Sequence, residues 1–542
     1  MAGSVEPPSG TSSESRQNWR ARIVGLRPSV SSFGLVVAVV ALVKFVVELI
    51  NASDYSNFCD ELYTLALSKH LALGYVDVPP LTPALLAVNR ALLGDSMLAI
   101  HLLPALAGAL QLVLVCLIAR QMGGGTFAAA IAGLGFLGAQ YYLMFDAFFS
   151  YDAFDQLFLT AFLYVLVRYL RSGDRRLWLV MGGIAGICCL NKVTILFLGP
   201  GFLVALLLSK YRRDLLTPWP YLGAAACLLI VSPYIAWEAT NGWPTLEYWS
   251  GYSKNSLYPI SPQQFFINVV LMMNLFAFPL LVLGLIRIFR RFGDTSLRFY
   301  GLWFVVSTIV LFGFKARVFM LLILLLPVIA AGALALEELV PRLPRWRPAQ
   351  VSARIVAIVY LGLAFVVIVP ASLPALPLDL EHQYANNFSF LYKPAQIDAN
   401  PVTWEIPGEL ANRLGWEEIT KTTAKVYNEI DPAVRPTCGI YAADWYGPAG
   451  AIDLLGPKYG LPASRSGFLT YWLWGPGEWS WDCMIVVGGN PKVQQYFAEV
   501  NVAAVVLIPD GMPFNTKVPI YVCRHLLMPK DQVWPHLKNW FG

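Results

Sequence analysis

Charged residues are scarce in this chain. Of 542 residues only 13% are Asp, Glu, Lys or Arg, and 57% are hydrophobic. A water-soluble globular protein carries about 25% charged and roughly 45–50% apolar residues. So little charge cannot cover the surface of a soluble protein this long. Histidine is rarer still, at five, and the eight cysteines form no CxxC pair and no Cys/His spacing of a metal centre. No metal site and no cofactor are expected. There is no glycine-rich loop after a strand, no long run of like charge and no internal repeat. These absences argue against nucleotide cradles, nucleic-acid partners and solenoid architectures.

What the chain has instead is apolar length. Phe33 to Ile50, Met97 to Ala119, Leu222 to Trp237, Phe265 to Ile286, Val318 to Leu336 and Ile355 to Val369 are apolar runs. Each approaches or reaches the roughly 17–25 residues that a helix needs to cross a bilayer. The first follows a charged, Ser- and Pro-rich stretch and has no small-residue cleavage pattern after it, so it reads as a retained span. Basic residues gather in alternate loops: Arg16, Arg20, Arg22 and Arg27; Arg120; Arg168, Arg171, Arg175 and Arg176; Lys210, Arg212 and Arg213; Arg287, Arg290, Arg291 and Arg298; Arg342, Arg345 and Arg347. The positive-inside rule makes these loops cytoplasmic. About eleven spans follow, with the N-terminus inside and the C-terminus outside; the weaker ones lie near 127–144, 177–191 and 194–208. The fold class expected is a mainly α, polytopic membrane protein.

On the opposite face lie the unusual residues. The first outer loop, roughly 51–95, holds Asp60, Glu61 and Asp77; the second holds Asp146, Asp152 and Asp155; later ones hold Lys192, Glu238, and Lys315 with Arg317. Ionisable groups at span ends are expensive to bury and often functional. Each has a plain structural reading as well. Asp60 can be a helix N-cap with Glu61 favoured by the dipole, and Lys192 can be a snorkelling lysine. Lys44 and Glu48, four apart in the first span, are expected to pair, without chemistry. Asp77 stands in Gly74-Tyr75-Val76-Asp77-Val78-Pro79-Pro80, whose prolines end any helix and hold it in an extended turn. Leu81 to Leu93 reads as an amphipathic interfacial stretch.

Carboxylates facing isolated cations suit transfer of a sugar from a phosphate leaving group to a hydroxyl. A carboxylate deprotonates or orients the acceptor, a carboxylate near the anomeric carbon stabilises oxocarbenium character, and cations take up the charge on the departing phosphate. Outside the cytoplasm the donor would be a polyprenyl-phosphate sugar. At this point the chain resembles the bacterial dolichyl-phosphate-mannose protein mannosyltransferase-like branch of the GT-C membrane glycosyltransferases, relatives of lipid A aminoarabinose transferase and of rhizobial galacturonosyltransferases. The resemblance rests on Asp60-Glu61, on Gly74 to Leu81, on Leu190-Asn191-Lys192, on Trp237 to Pro244, and on the stretch from Tyr441 to Pro476. It implies that Asp60 is the catalytic carboxylate, with Glu61 in support and Asp152 as a further carboxylate. Lys192, Lys315 and Arg317 would contact the carrier phosphate, with Asp77 and Glu238 also lining the substrate site. Two departures, Glu238 where Asn is usual and Val78 before the paired prolines, put the substrate in doubt more than the reaction. The acceptor would be a lipid, a glycan or a protein, and the transfer inverting.

From about residue 372 no spanning run remains, so residues 1–371 are expected to form the transmembrane catalytic domain and 372–542 an extracytoplasmic α/β domain. Its β-branched runs are Cys438 to Ala443, Cys483 to Val487, Val502 to Ile508 and Ile520 to Cys523, with Thr420 to Ile430 helical. An oxidising compartment allows one disulfide, and Cys438–Cys483 is the pairing expected. Tyr471, Trp472, Trp474, Trp479 and Trp481 are read as sugar-stacking or as membrane-anchoring aromatics. The rival class is a transporter or lipid flippase. It would place charges in broken helices near the bilayer midplane, often in two repeated halves, whereas here they collect at span ends.

Overall fold

A computed structural model describes residues 31–51, 54–255, 261–290, 295–314, 317–342, 347–392, 405–490, 492–512 and 515–540. Lys315 and the basic residues Arg16, Arg20, Arg22, Arg27, Arg291 and Arg345 lie outside the described residues. In chain order the helices begin with α1 (Ser32–Glu48), α2 (Cys59–Lys69), α3 (Leu81–Leu93) and α4 (Met97–Gln121). There follow α5 (Thr126–Leu137), α6 (Gln140–Asp146), α7 (Tyr151–Ser172), α8 (Leu177–Asn191) and α9 (Thr194–Leu207). Then come α10 (Trp219–Thr240), α11 (Pro244–Asn255), α12 (Pro262–Arg290), α13 (Ser296–Gly313), α14 (Phe319–Arg342) and α15 (Pro348–Ser372).

Among the described residues, seven of these helices are long and apolar enough to cross a membrane, and nine spans result if each of two bent pairs counts as one. Two further regions expected to span form shorter helices, α1 of 17 residues and α8 of 15. The three weaker regions are where the helices are short or broken. α5 and α6 meet at 68°, and α9 turns by 99° into a 3-10 segment, Lys210–Leu216. A break inside a bilayer frees backbone groups that must be satisfied internally. At the α5–α6 bend the Asn274 side chain of α12 supplies that partner, donating to the Gly135 carbonyl at 3.1 Å. Interior packing relies on small residues, as membrane helices do. A methyl on Gly284 or Gly332 would lie 2.0 Å from a backbone carbonyl oxygen of the facing helix, so α12 and α14 touch backbone to backbone.

α1 buries Val37, Ala41, Lys44 and Glu48, one stripe at helical spacing. The expected Lys44–Glu48 ion pair forms, and Asp146 joins it, 2.8 Å from the lysine.

After α15 come α16 (Leu378–Phe388), α17 (Trp416–Glu429) and α18 (Tyr446–Leu455), with a five-stranded sheet. Its strands are β1 (Cys438–Ala442), β2 (Ser464–Arg465), β3 (Cys483–Val487), β4 (Phe497–Leu507) and β5 (Lys517–Leu526), in the order β2-β1-β3-β5-β4. β1 pairs parallel with β2 and β3, while β5 is antiparallel to β3 and β4. Cys438 and Cys483 are partners across the β1–β3 ladder and form the expected disulfide. The β-branched, apolar strands β1 and β3 are buried throughout. Their core continues without a break into the membrane-proximal part: Ile440, Ile485 and Trp416 share one apolar cluster with Phe58, Leu62 and Phe148. α18 lies directly on α2.

The aromatic cluster does not line the cleft described below. Tyr471 and Trp481 are fully buried, the Tyr471 hydroxyl donates to Asp453, and Trp472 and Trp534 exchange indole-to-carbonyl hydrogen bonds. Trp481 and Trp479 pack inside the C-terminal unit, while Tyr471, Trp472 and Trp474 pack it against Tyr63 and Leu67 of α2 and against Tyr75.

Candidate active site

A cleft of about 510 Å³ opens where α2, the start of α7, the α8–α9 junction, α11 and α18 converge. Asp60, Asp77, Asp152, Lys192 and Arg317 all line it, with Tyr151, Tyr248, Trp249, Trp445 and Tyr446 among the aromatic walls. Five of the eight residues picked out in the sequence therefore meet in one space. Glu61 and Glu238 do not line it, and Lys315 is outside the described residues.

Asp60 sits in the first turn of α2, but Phe58 and not Asp60 occupies the N-cap. The carboxylate is thus released from capping and faces the cleft, where the helix dipole favours its charge. Its Oδ1 accepts the Tyr446 hydroxyl at 2.5 Å and the Cys59 thiol at 3.4 Å. Burial pushes the Asp60 carboxyl above the usual carboxylate range against these two donors, and the nearby Asp152 charge adds to the rise while Lys192 opposes it.

Glu61, one residue on, points the other way. Fully buried, it accepts from the Asn57 amide at 2.6 Å, from the Phe149 N–H at 2.7 Å and from His101 at 3.0 Å. Burial works to raise its pKa, but these partners together hold it below the ordinary value. The carboxylate is saturated; it fixes α2 against α4 and the 147–150 loop and so aims Asp60.

Asp152 is placed by the start of α7, whose N-cap is Ser150: the serine hydroxyl accepts the Asp152 N–H at 3.2 Å. The Asp152 carboxylate accepts from Lys192 at 2.5 Å and from Tyr141 at 3.1 Å. Lys192 ends α8, with its ammonium 4.7 Å from the Tyr151 ring centre and 4.9 Å from that of Phe319, so cation–π contact adds to the ion pair. Asn191 orients this junction. Its amide donates to the Tyr151 carbonyl at 2.8 Å and its oxygen accepts from Thr82 at 2.5 Å. Asp155 is buried one turn into α7 and does not line the cleft.

Asp77 is held in its proline-ended turn by the Tyr63 hydroxyl, 2.8 Å away, and burial raises its carboxyl to about 7. Glu238 braces the same turn from behind: it accepts from the Thr245 hydroxyl at 2.6 Å, and Thr245 reaches the Tyr75 carbonyl at 3.3 Å. The turn is also docked on the C-terminal unit through Thr470, which accepts from the Val76 N–H at 3.1 Å.

Sequence reasoning missed Tyr446, Tyr141 and Asn191. Asn191 and Tyr446 do stand inside segments singled out for their motifs, and polar or aromatic residues flanking a motif are the signal that could have marked them.

Residues 77–237 match the family model described as dolichyl-phosphate-mannose-protein mannosyltransferase. Most of the chain superimposes on ArnT from Cupriavidus metallidurans. In its apo state the TM-score is 0.55 at 15% identity, over 94% of this chain and 98% of ArnT. Bound to undecaprenyl phosphate, ArnT gives a TM-score of 0.52 at 16% identity, over 91% and 98%. Likeness to the S. cerevisiae protein O-mannosyltransferase Pmt1–Pmt2 complex with its sugar donor is partial, covering 40% of this chain and 34% of that one at 22% identity and a TM-score of 0.32. Comparison with curated protein sequences gives no match. The fold is that of ArnT, and the match over residues 77–237 bears out the resemblance to the mannosyltransferase family.

Proposed function

We propose that this chain, which has a GT-C membrane-glycosyltransferase fold, moves a single sugar from a polyprenyl-phosphate carrier to an acceptor hydroxyl at the outer face of the cytoplasmic membrane. The observation that carries the reading is the convergence of Asp60, Asp77 and Asp152 with Lys192 and Arg317 around one aromatic-walled cleft. The undecaprenyl phosphate held by ArnT, on the same fold, supports a lipid-phosphate donor. The clustering of basic residues in alternate loops supports a cytoplasmic N-terminus and an extracytoplasmic C-terminal unit from about residue 372.

In this reading the acceptor oxygen attacks the anomeric carbon as its bond to the phosphate oxygen breaks, and the electron pair leaves with the phosphate. Asp60 takes the acceptor proton. A carboxyl raised above its ordinary range by burial is better matched to this than an exposed one. Lys192 and Arg317 meet the negative charge on the leaving phosphate, Lys as a point charge and Arg through its planar fork, and Lys315 is assigned to the same task. Asp152 sets the position of Lys192. Asp77 faces the sugar, while Glu61 and Glu238 hold the turns that carry Asp60 and Asp77. One base and one in-line displacement give inversion at the anomeric carbon. The acceptor is a lipid A-like lipid, a glycan or a protein hydroxyl.

The test is a transfer assay on protein in liposomes with a panel of radiolabelled polyprenyl-phosphate sugars, run beside Asp60→Asn. One donor should be consumed by the parent, and the variant should bind that donor while turnover falls by about 10²–10⁴. Equal turnover by the variant would remove Asp60 from the role of base. No donor consumed by the parent, together with movement of a labelled lipid between leaflets, would replace the reading with a flippase.

A further inference from the structure

We propose that His382, Glu405 and Asp510 form a site for one divalent transition-metal cation of the zinc class, separate from the cleft and independent of the glycosyl-transfer reading. The three come from distant parts of the chain: His382 from α16, Glu405 from the segment before α17, and Asp510 from the β4–β5 connection. One donor atom from each lies within 4.8 Å of the other two. His382 Nε2 and Asp510 Oδ1 are 3.1 Å apart, close to the separation of neighbouring ligands on a cation with bonds of about 2.0–2.2 Å. None of the three lines the cleft.

A lone acidic cluster would not carry this. The imidazole matters first, because one neutral nitrogen with two carboxylate oxygens is a donor set that zinc-class cations take and that hard cations do not prefer. Three protein ligands also leave coordination positions for water. A second observation points the same way. Among the described residues, Glu381, adjacent to His382 and fully buried, has no hydrogen-bond partner at either carboxylate oxygen, and the buried Tyr55 hydroxyl has none either. Asp54 and Asp510 act on Tyr55 with Arg413 the opposing charge, so two carboxylates face one guanidinium on this partly buried floor, and a divalent cation at the three ligands would balance them. Asp54 accepts the Leu378 N–H at 2.8 Å at the start of α16, so the cation would fasten the C-terminal unit beside the loop that leads into α2.

The full-length protein in detergent, stripped with a chelator, is titrated with Co²⁺ and followed by visible absorption. Zn²⁺ competition and elemental analysis give affinity and stoichiometry. The expected result is saturation at one cation per chain, with ligand-field bands that Zn²⁺ displaces and a rise in melting temperature on loading. His382→Gln and Asp510→Asn, checked for native circular dichroism, should each lose the bands and the rise. Glu405→Gln, at an exposed position, cannot be dismissed as a folding failure and should weaken binding. Absence of saturable binding by the parent overturns the proposal, as does unchanged binding in all three variants, which would put the cation elsewhere.

Discussion

Among the described residues lysine meets aspartate in two places in this bundle, and the two pairs have opposite surroundings. Lys44, Glu48 and Asp146 are sealed between α1, α4 and α6 with their side chains wholly inaccessible. Lys192 and Asp152, 2.5 Å apart, are 15% and 7% exposed and face the cleft. The sealed cluster is packed to its limit: a methyl on Gly108 would come within 2.5 Å of an Asp146 oxygen and 2.8 Å of a Glu48 oxygen. The open pair has room for a third party. Both aspartates flank one short loop, and its middle is pinned as well, by the Phe149 N–H on Glu61. The same chemical pair therefore serves as a fastener where it is closed and as a candidate phosphate site where it is open. The sealed one sets the position of the other.

The sharpest way to break this comparison is to remove each lysine's charge. Lys44→Met leaves two carboxylates facing each other without a counter-charge, and breaking a buried pair in this way destabilises by about 3–5 kcal/mol. Its melting temperature in detergent should fall steeply. Lys192→Met should melt close to the parent while turnover drops by about 10²–10³, the scale for losing one group that stabilises developing charge. If both variants lost only stability, the open pair would be a second fastener and the cleft would need another cation.

A smaller effect sharpens the role of Asp60. Tyr446→Phe removes the 2.5 Å donor from its carboxylate. A hydrogen bond to a charged group contributes about 1.5–3 kcal/mol, so turnover should fall roughly tenfold or somewhat more. The phenol favours the ionised carboxylate. Without it the Asp60 pKa rises further, and the acid limb of the pH–rate profile should move to higher pH. A limb that stays in place while turnover falls would make Tyr446 a packing residue only.

How much of this could be read in the sequence follows from contact distance along the chain. Span positions, the Lys44–Glu48 pair and the helix over Thr420 to Ile430 are local patterns, and periodicity marks them. The strand runs around Cys438 and Cys483 were legible as β-branched segments, but Cys523 lies in the same unit, and only the β1–β3 register shows why the expected pair forms and Cys523 stays free. Asp60, Asp77, Asp152, Lys192 and Arg317 were legible because each stands in an outer loop or at a span end, and the alternation of basic loops puts these on one side. Tyr446 was not legible as a neighbour of Asp60. The two are 386 residues apart, and only the packing of α18 on α2 brings them together. Glu61 and Glu238 show the limit from the other direction. Composition marks a carboxylate near the site, but whether it faces the cleft or is saturated behind it depends on partners such as His101 and Thr245 that no spacing reveals.

The smallest expected effect concerns Asp77 and separates the cleft carboxylates from the saturated Glu61. Its carboxyl is raised to about 7 in the folded protein, against about 3.9 in an unfolded chain. The folded state therefore holds more protons between those values, and stability falls as pH climbs from about 4 to about 7. Glu61, held below its ordinary value, works in the opposite sense, contributing stability that is lost only as acid protonates it. Asp77→Asn cannot ionise. Its melting temperature relative to the parent should therefore rise from pH 4 to pH 7 and level off above, while the deficit of Glu61→Gln should stay level above the ordinary glutamate value of about 4.3 and shrink only in more acid solution. Melting curves at four or five pH values decide it. A difference for Asp77→Asn that does not vary with pH would mean that the carboxyl titrates near its ordinary value and is exposed to water in the open cleft.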